Sequence, residues 1–131
     1  MISFEVFGLP KSKGSFRPFV NRKTGQALMV RGKSSVQWET LVRSEAQRAR
    51  TSLCPLDGPL TCTLVFSLQA PKTVKRQHPT TRPDLDKLVR GVFDGMTGIL
   101  YKDDCQIVAL HCSKKYGVPG VTISLDSYAH A

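Results

Sequence analysis

The 131 residues are enough for one domain with its own core, and 40% apolar with 22% charged residues is ordinary for a soluble globular chain. A net charge of +9 and a pI of about 9.7 are not ordinary and point to an anionic partner. No apolar run approaches the ~20 residues that a membrane-spanning helix needs, and Cys54, Cys62, Cys105 and Cys112 show no C-x₂-C spacing of a zinc site.

Ile2, Phe4 and Val6 alternate with Ser3, Glu5 and Phe7, predicting a first strand stopped by Gly8 and Pro10. The stretch MISFEVFGLP is too short and too polar for a secretory signal. The expected location is therefore the cytoplasm, including that of a host cell if the gene is viral. Residues 9–34 form a basic segment carrying Lys11, Lys13, Arg17, Arg22, Lys23, Arg31 and Lys33 and no acid. Inside it, Arg22-Lys23-Thr24-Gly25 predicts the turn of a short hairpin between Phe19-Val20 and Ala27-Val30. Trp38, Leu41, Val42, Ala46 and Ala49 recur at helical spacing and predict a helix over 35–50. Ser34 with Gln37 fits a capping box at its start.

Leu60, Cys62, Leu64, Phe66 and Leu68 alternate with more polar residues, giving the clearest strand pattern in the chain. Cys62 and Cys112 fall on apolar parity, which predicts reduced thiols in the core. Residues 71–82 are polar, basic and proline-punctuated, and carry Lys72, Lys75, Arg76 and Arg82; a flexible loop is expected there. Pro83 then predicts the opening of a second helix. Its Leu85, Leu88, Val89, Val92, Phe93 and Met96 share one side, and Asp86, Lys87, Arg90 and Asp94 share the other. Thr97-Gly98 ends it. A strand from Gln106 to Lys114 and a last strand from Val121 to Leu125 follow. The order β-α-β-α-β-β argues an α+β fold: a small mixed sheet of about four strands with two helices on one face, as one domain over 1–131.

Charge is divided along the chain. Residues 1–83 carry a balance of +10 and residues 84–131 a balance of −1. Five of the ten carboxylates lie within 84–104, an unfavourable crowding unless a cation compensates. Asp84 and Asp86 diverge if both are mid-helix, and converge only if Asp84 precedes the first turn. Asp104, entering the next strand on the parity of Val108, Leu110 and Cys112, supplies a third candidate. Three convergent carboxylates suit Mg²⁺ or Mn²⁺, ions that serve phosphodiester hydrolysis. Helix capping by Asp84 and Asp86, with a turn at Asp103-Asp104, fits the same spacing equally well.

The segment Arg82-Pro83-Asp84-Leu85-Asp86-Lys87-Leu88, then Phe93-Asp94-Gly95, then Tyr101-Lys102-Asp103-Asp104-Cys105-Gln106-Ile107-Val108, resembles the RusA family of Holliday-junction resolvases. The family pattern is D-[LI]-D, an amphipathic helix with an F/L-D pair, a short gap, and D-D-x-Q-[IV]; this chain carries all of it in order. The resemblance implies a homodimer that makes paired nicks across a four-way DNA junction with Mg²⁺, or Mn²⁺ in its place, and no small-molecule cofactor. It implies that Asp84, Asp86 and Asp104 are the metal-binding aspartates, with Asp103 at the neighbouring acidic position. Where the family often has a catalytic lysine, this chain has Arg90, with Lys87 closer to Asp86. Arg90 can neutralise charge but is a poor proton donor, and either Arg90 or Lys87 is a candidate for that role; a helix-surface ion pair with Asp86 or Asp94 is the competing reading.

A junction is a shape, so its recognition needs phosphate contacts over a wide surface. Lys11, Lys13, Arg17, Arg22, Lys23, Arg31 and Lys33 in the first basic segment, and Lys72, Lys75, Arg76 and Arg82 in the second, are the candidates. Phe16 and Phe19 fit either a wedge or the core. Two other functions share these features: a basic nucleic-acid binder without catalysis, and a nuclease of the same fold acting on forks, flaps or RNA.

Overall fold

The computed structural model describes residues 1–12, 16–20, 27–31 and 33–129, with 16–20, 27–31 and Lys33 described as backbone. The elements run β1 (Ile2–Phe7), β2 (Phe16–Val20), β3 (Ala27–Arg31), α1 (Lys33–Ala49), β4 (Leu60–Leu68), α2 (Leu85–Met96), β5 (Ile107–Tyr116) and β6 (Gly120–Ser127), with a 3₁₀ turn over Asp104–Gln106. The α+β class expected from the alternation is the observed one. The main sheet has the order β1-β6-β4-β5, with β4 parallel to β5 and antiparallel to β6. β5 and β6 are consecutive in the chain yet lie on opposite sides of β4, a crossing that periodicity alone does not encode. No helix among the described residues is long and apolar enough to cross a membrane.

β2 and β3 pair antiparallel from Phe16↔Arg31 to Val20↔Ala27, as a separate two-stranded ribbon. These are the strands of the hairpin expected inside the basic segment. Its connection, with Arg22 and Lys23, lies outside the described residues, as does Lys13.

The core follows from alternation on one face of the sheet. Leu60, Cys62, Leu64 and Phe66 of β4, Val121, Ile123 and Leu125 of β6, and Ile2 and Val6 of β1 join Trp38, Val42 and Ala46 of α1 and Leu88, Val89, Val92 and Met96 of α2 in one cluster. Each full burial of such a side chain contributes about 1.5–3 kcal/mol before entropy is counted. Both helices therefore cover one face, while Ser3, Glu5, Thr63, His111 and Thr122 stay exposed on the other. The helices cross in close contact because Gly95 has no side chain: a Cβ there would stand 2.6 Å from Val42 Cγ1. All four cysteines are free thiols; burial, with Cys112 beside it, pushes the Cys62 thiol up to about 12.

Three local expectations are corrected, and the loop expected over 71–82 is found. α1 already begins at Lys33, so Ser34 lies in its first turn and is not its cap. Pro83 precedes α2 instead of opening it: Asp84 is the N-cap, and the first helical bond runs from Leu88 N–H to the Asp84 carbonyl, 3.1 Å. Residues 71–82 form no helix or strand, as expected, and Arg76 Nε donates to Tyr116 Oη of β5 at 2.8 Å. The last strand before the turn starts at Ile107. An irregularity sets Ile107 opposite Leu60 and Ala109 opposite Thr61, so Val108 drops out of register and the parity expected from Asp104 to Cys112 is broken.

Candidate active site

Asp84 stands where the chain turns into α2. Its backbone is extended (φ −71, ψ 139), and its carboxylate makes no capping hydrogen bond. The spacing left capping and ligand binding level; the geometry leaves this carboxylate uncommitted to the helix. Its charged neighbour is Lys87, with Nζ 3.5 Å from Oδ2 and both side chains about half exposed. The expected alternative partners of Lys87, Asp86 and Asp94, are not the ones in this ion pair. Asp86 is exposed in the first turn of α2, where the helix dipole favours an anion. Arg90 and Asp94 follow at four-residue steps on the same side; Arg90 is exposed, and the Asp94 carbonyl accepts from Arg43 Nη2 at 2.9 Å.

A cleft of about 420 Å³ opens beside Asp84, lined by Lys11, Ser12, Arg82 and Lys87 among others. Three cations from three stretches thus surround one carboxylate. Such an arrangement suits a phosphate brought against an acidic group. Of the other expected DNA contacts, Lys72 and Lys75 are exposed, and Arg76 is also exposed while spending its Nε on Tyr116. Arg17, Arg31 and Lys33 are described only by their backbone.

Asp103 and Asp104 are built differently. They do not enter a strand on opposite faces. Asp103 caps the 3₁₀ turn, accepting from Cys105 N–H at 3.0 Å, and Gln106 closes a capping box from the other side. Gln106 Oε1 accepts from the backbone of Lys102 and Asp103, while its Nε2 donates to the carbonyls of Leu56 (2.9 Å) and Gly58 (3.1 Å). The glutamine of the D-D-x-Q pattern is thus a stitch between this turn and the approach to β4. Hydrogen bonds from Cys105, the backbone one first, and one shared with Asp104 hold the Asp103 carboxyl below its usual value. Partial burial, the bond to Asp103, and the charges of Asp103 and Asp94 hold Asp104 above it.

The two acidic groups lie toward opposite ends of α2. α2 has 12 residues, so its ends are about 18 Å apart. Tyr101, whose hydroxyl donates to the Phe93 carbonyl at 2.9 Å, packs the Asp104 turn at the C-terminal end, beyond Gly98 with its φ of 84. β5 gives the same span independently. It leaves the Asp104 turn at Ile107 and passes the approach to Asp84 at Lys114, about 23 Å along the strand. Within one chain Asp84 and Asp86 are therefore not brought together with Asp104, and among the described residues no three His, Cys, Asp or Glu side chains form a ready cation cage.

The chain matches the family Endodeoxyribonuclease RusA over residues 10–126. It belongs to the RusA endodeoxyribonuclease family. A relative, the uncharacterized protein YqaN of Bacillus subtilis strain 168, is 32% identical over 130 residues, covering 88% of this chain and 87% of that protein. Membership in the RusA family makes the chain an endodeoxyribonuclease by class.

Sequence reasoning missed one residue of this region. Lys114 lies on the core-side parity of β5, opposite Phe66, and its Nζ donates to the carbonyls of Thr81 (2.7 Å) and Pro83 (2.9 Å). The available signal was a lysine two residues beyond Cys112 on a face otherwise read as apolar.

Proposed function

We propose that the chain acts as a homodimer that resolves four-way DNA junctions by paired nicks, with each catalytic site shared between subunits. The observation that carries this reading is the separation of two unlike acidic ends. One holds Asp84 and Asp86 in a cationic setting, and the other holds Asp104. In a two-fold pair, residue i meets residue j and j meets i. If the Asp84 end of one subunit faces the Asp104 end of the other, two identical sites arise at once, as paired nicks require.

The donor set suits Mg²⁺ or Mn²⁺. Mg²⁺ is ordinarily held by one or two carboxylates, several waters and substrate phosphate oxygens, so the lack of a three-carboxylate cage within one chain does not disfavour it. Asp84 and Asp86 of one subunit with Asp104 of the other would hold the ion, with Asp103 fixing the turn that presents Asp104. When bound, the ion would supply an activated water and charge neutralisation at the leaving oxygen. The chain's own work is then to place the phosphate. Lys11 and Arg82 hold the backbone in the cleft, and Lys87 and Arg90 face the reacting phosphate from the helix and offset its developing charge. Arg90 does this as a fixed charge and not as a proton donor.

The test is cleavage of a synthetic four-way junction with Mg²⁺ or Mn²⁺, followed by subunit mixing. Asp84→Asn and Asp104→Asn are each expected to be inactive as purified dimers. After subunit exchange, a mixed dimer carries one intact composite site, and nicking on one strand returns at a fraction of the wild-type rate. Nicking that stays absent in verified mixed dimers places the whole site within one chain and removes the shared-site reading. Failure of the wild type to cut a junction, fork, flap or linear duplex with either ion removes the nuclease reading itself.

A further inference from the structure

Lys114 occupies a position where the fold asks for an apolar residue. It faces the core side of β5 across from fully buried Phe66, and it is itself only partly exposed. A lysine there needs hydrogen-bond acceptors, and it finds them in the backbone of a single corner. The carbonyls of Thr81 and Pro83, at 2.7 and 2.9 Å, flank Arg82 on both sides. The residue after this corner is Asp84, whose side chain makes no capping hydrogen bond to α2 and has only a half-exposed ion pair with Lys87. The residue inside the corner is Arg82, whose side chain lines the same cleft. The corner's backbone therefore decides where both functional side chains point, and a strand ammonium holds that backbone.

We propose that Lys114 is a positioning residue of the cleavage site: it clamps the 81–83 corner so that Asp84 and Arg82 are presented together to the bound phosphate. The proposal rests on the reading of Asp84 as part of a nuclease site. It adds a role that does not touch the substrate. Lys114 acts through the two carbonyls of Thr81 and Pro83. Misplacing a catalytic group by about 1 Å can cost on the order of 100-fold in rate.

The experiment compares wild type, Lys114→Met and Lys114→Gln in three measurements: single-turnover junction cleavage in Mg²⁺, junction affinity in Ca²⁺, and amide exchange read peptide by peptide. Both variants are expected to lose about 10- to 100-fold in cleavage rate. Affinity should stay within about threefold, because no phosphate contact is removed. Exchange should quicken across residues 81–88 and stay unchanged in β4 and β6. Lys114→Arg, whose fork can also span two carbonyls, should recover most of the rate. The proposal is overturned by an unchanged rate, by a loss confined to binding, or by faster exchange across the whole sheet, which would mark a purely structural lysine. If Lys114→Met does not fold, Lys114→Gln decides on the same readings. If the wild type itself cuts no DNA, the nuclease reading fails, and the exchange of 81–88 still reports whether Lys114 holds the corner.

Discussion

The two ends of α2 use the same residue type for opposite purposes. At the Asp103 end, an aspartate completes a capping box, satisfies backbone N–H groups and shares a hydrogen bond with its neighbour. At the Asp84 end, an aspartate occupies the N-cap position and caps nothing with its side chain. Among the described residues, the cations Lys87, Lys11 and Arg82 gather around it. An aspartate at a cap position normally contributes to stability through that bond. Forgoing it leaves a carboxylate whose placement folding does not require, and this is the stronger sign of a functional role.

The largest expected effect breaks that comparison directly. Asp84→Ala should abolish junction cleavage, by at least the ~100-fold that outer-shell partners of a metal site can cost, while the urea midpoint stays near wild type because no cap bond is lost. Asp103→Ala should do the reverse in kind: its urea midpoint falls because a closed capping box opens, and cleavage survives at a reduced rate. Parallel denaturation and cleavage curves check this. An Asp84→Ala protein that is markedly less stable and only weakly impaired in cutting would mean that the capping reading was right for Asp84 after all.

Much of this was legible in the chain, and the failures have identifiable causes. Period-2 and period-3.6 patterns gave β1, β4, α1 and α2 because each buries one face, and the amphipathic pattern of α2 is strong because Leu88, Val89, Val92 and Met96 all enter the core. The compound acidic motif gave the family. Pairing order was not legible: β4 separates β5 from β6, and nothing local in Ile107–Tyr116 says which neighbour it takes. The parity argument for Asp104 failed because a one-residue slip reverses every later side chain, and the irregularity at Val108 is such a slip. The separation of Asp84 from Asp104 was invisible for a related reason. Twenty residues of sequence carry no length until one knows that α2 runs straight between them.

The spacer between the two ends gives the next effect in size. Gly95 lies under Val42 with no room for a methyl group, since an added Cβ would meet Val42 Cγ1 at 2.6 Å and Val42 Cβ at 2.9 Å. Gly95→Ala improves intrinsic helix propensity by just under ~1 kcal/mol, but overpacking a tight contact costs about 1–3 kcal/mol. A net loss in stability is expected, read by urea titration. Gly95 contributes no side chain to either acidic end, so the rate per folded molecule should change little. A gain in stability would mean that α1 and α2 slide apart freely and do not fix the distance between the ends.

The smallest effect concerns the proton shared at the Asp103 end. Asp103 is held below the ordinary 3.8, first by the hydrogen bonds from Cys105. Its contribution to stability is therefore present above 3.8 and is lost as pH falls through its lowered value. Asp104 is held above 3.8, first by partial burial and then by the bond and charge of Asp103 and the charge of Asp94. Its contribution has the opposite sign: present below 3.8 and lost as pH rises through its raised value. The two contributions therefore oppose each other as pH passes through the carboxylate range. Asp103→Asn keeps an acceptor for Cys105 N–H and removes the neighbouring charge. In carbon-detected carboxyl titrations with a chelator present, the Asp104 midpoint should then move down towards 3.8 without reaching it, because burial and Asp94 remain. A midpoint that does not move would show that Asp103 and Asp104 titrate independently.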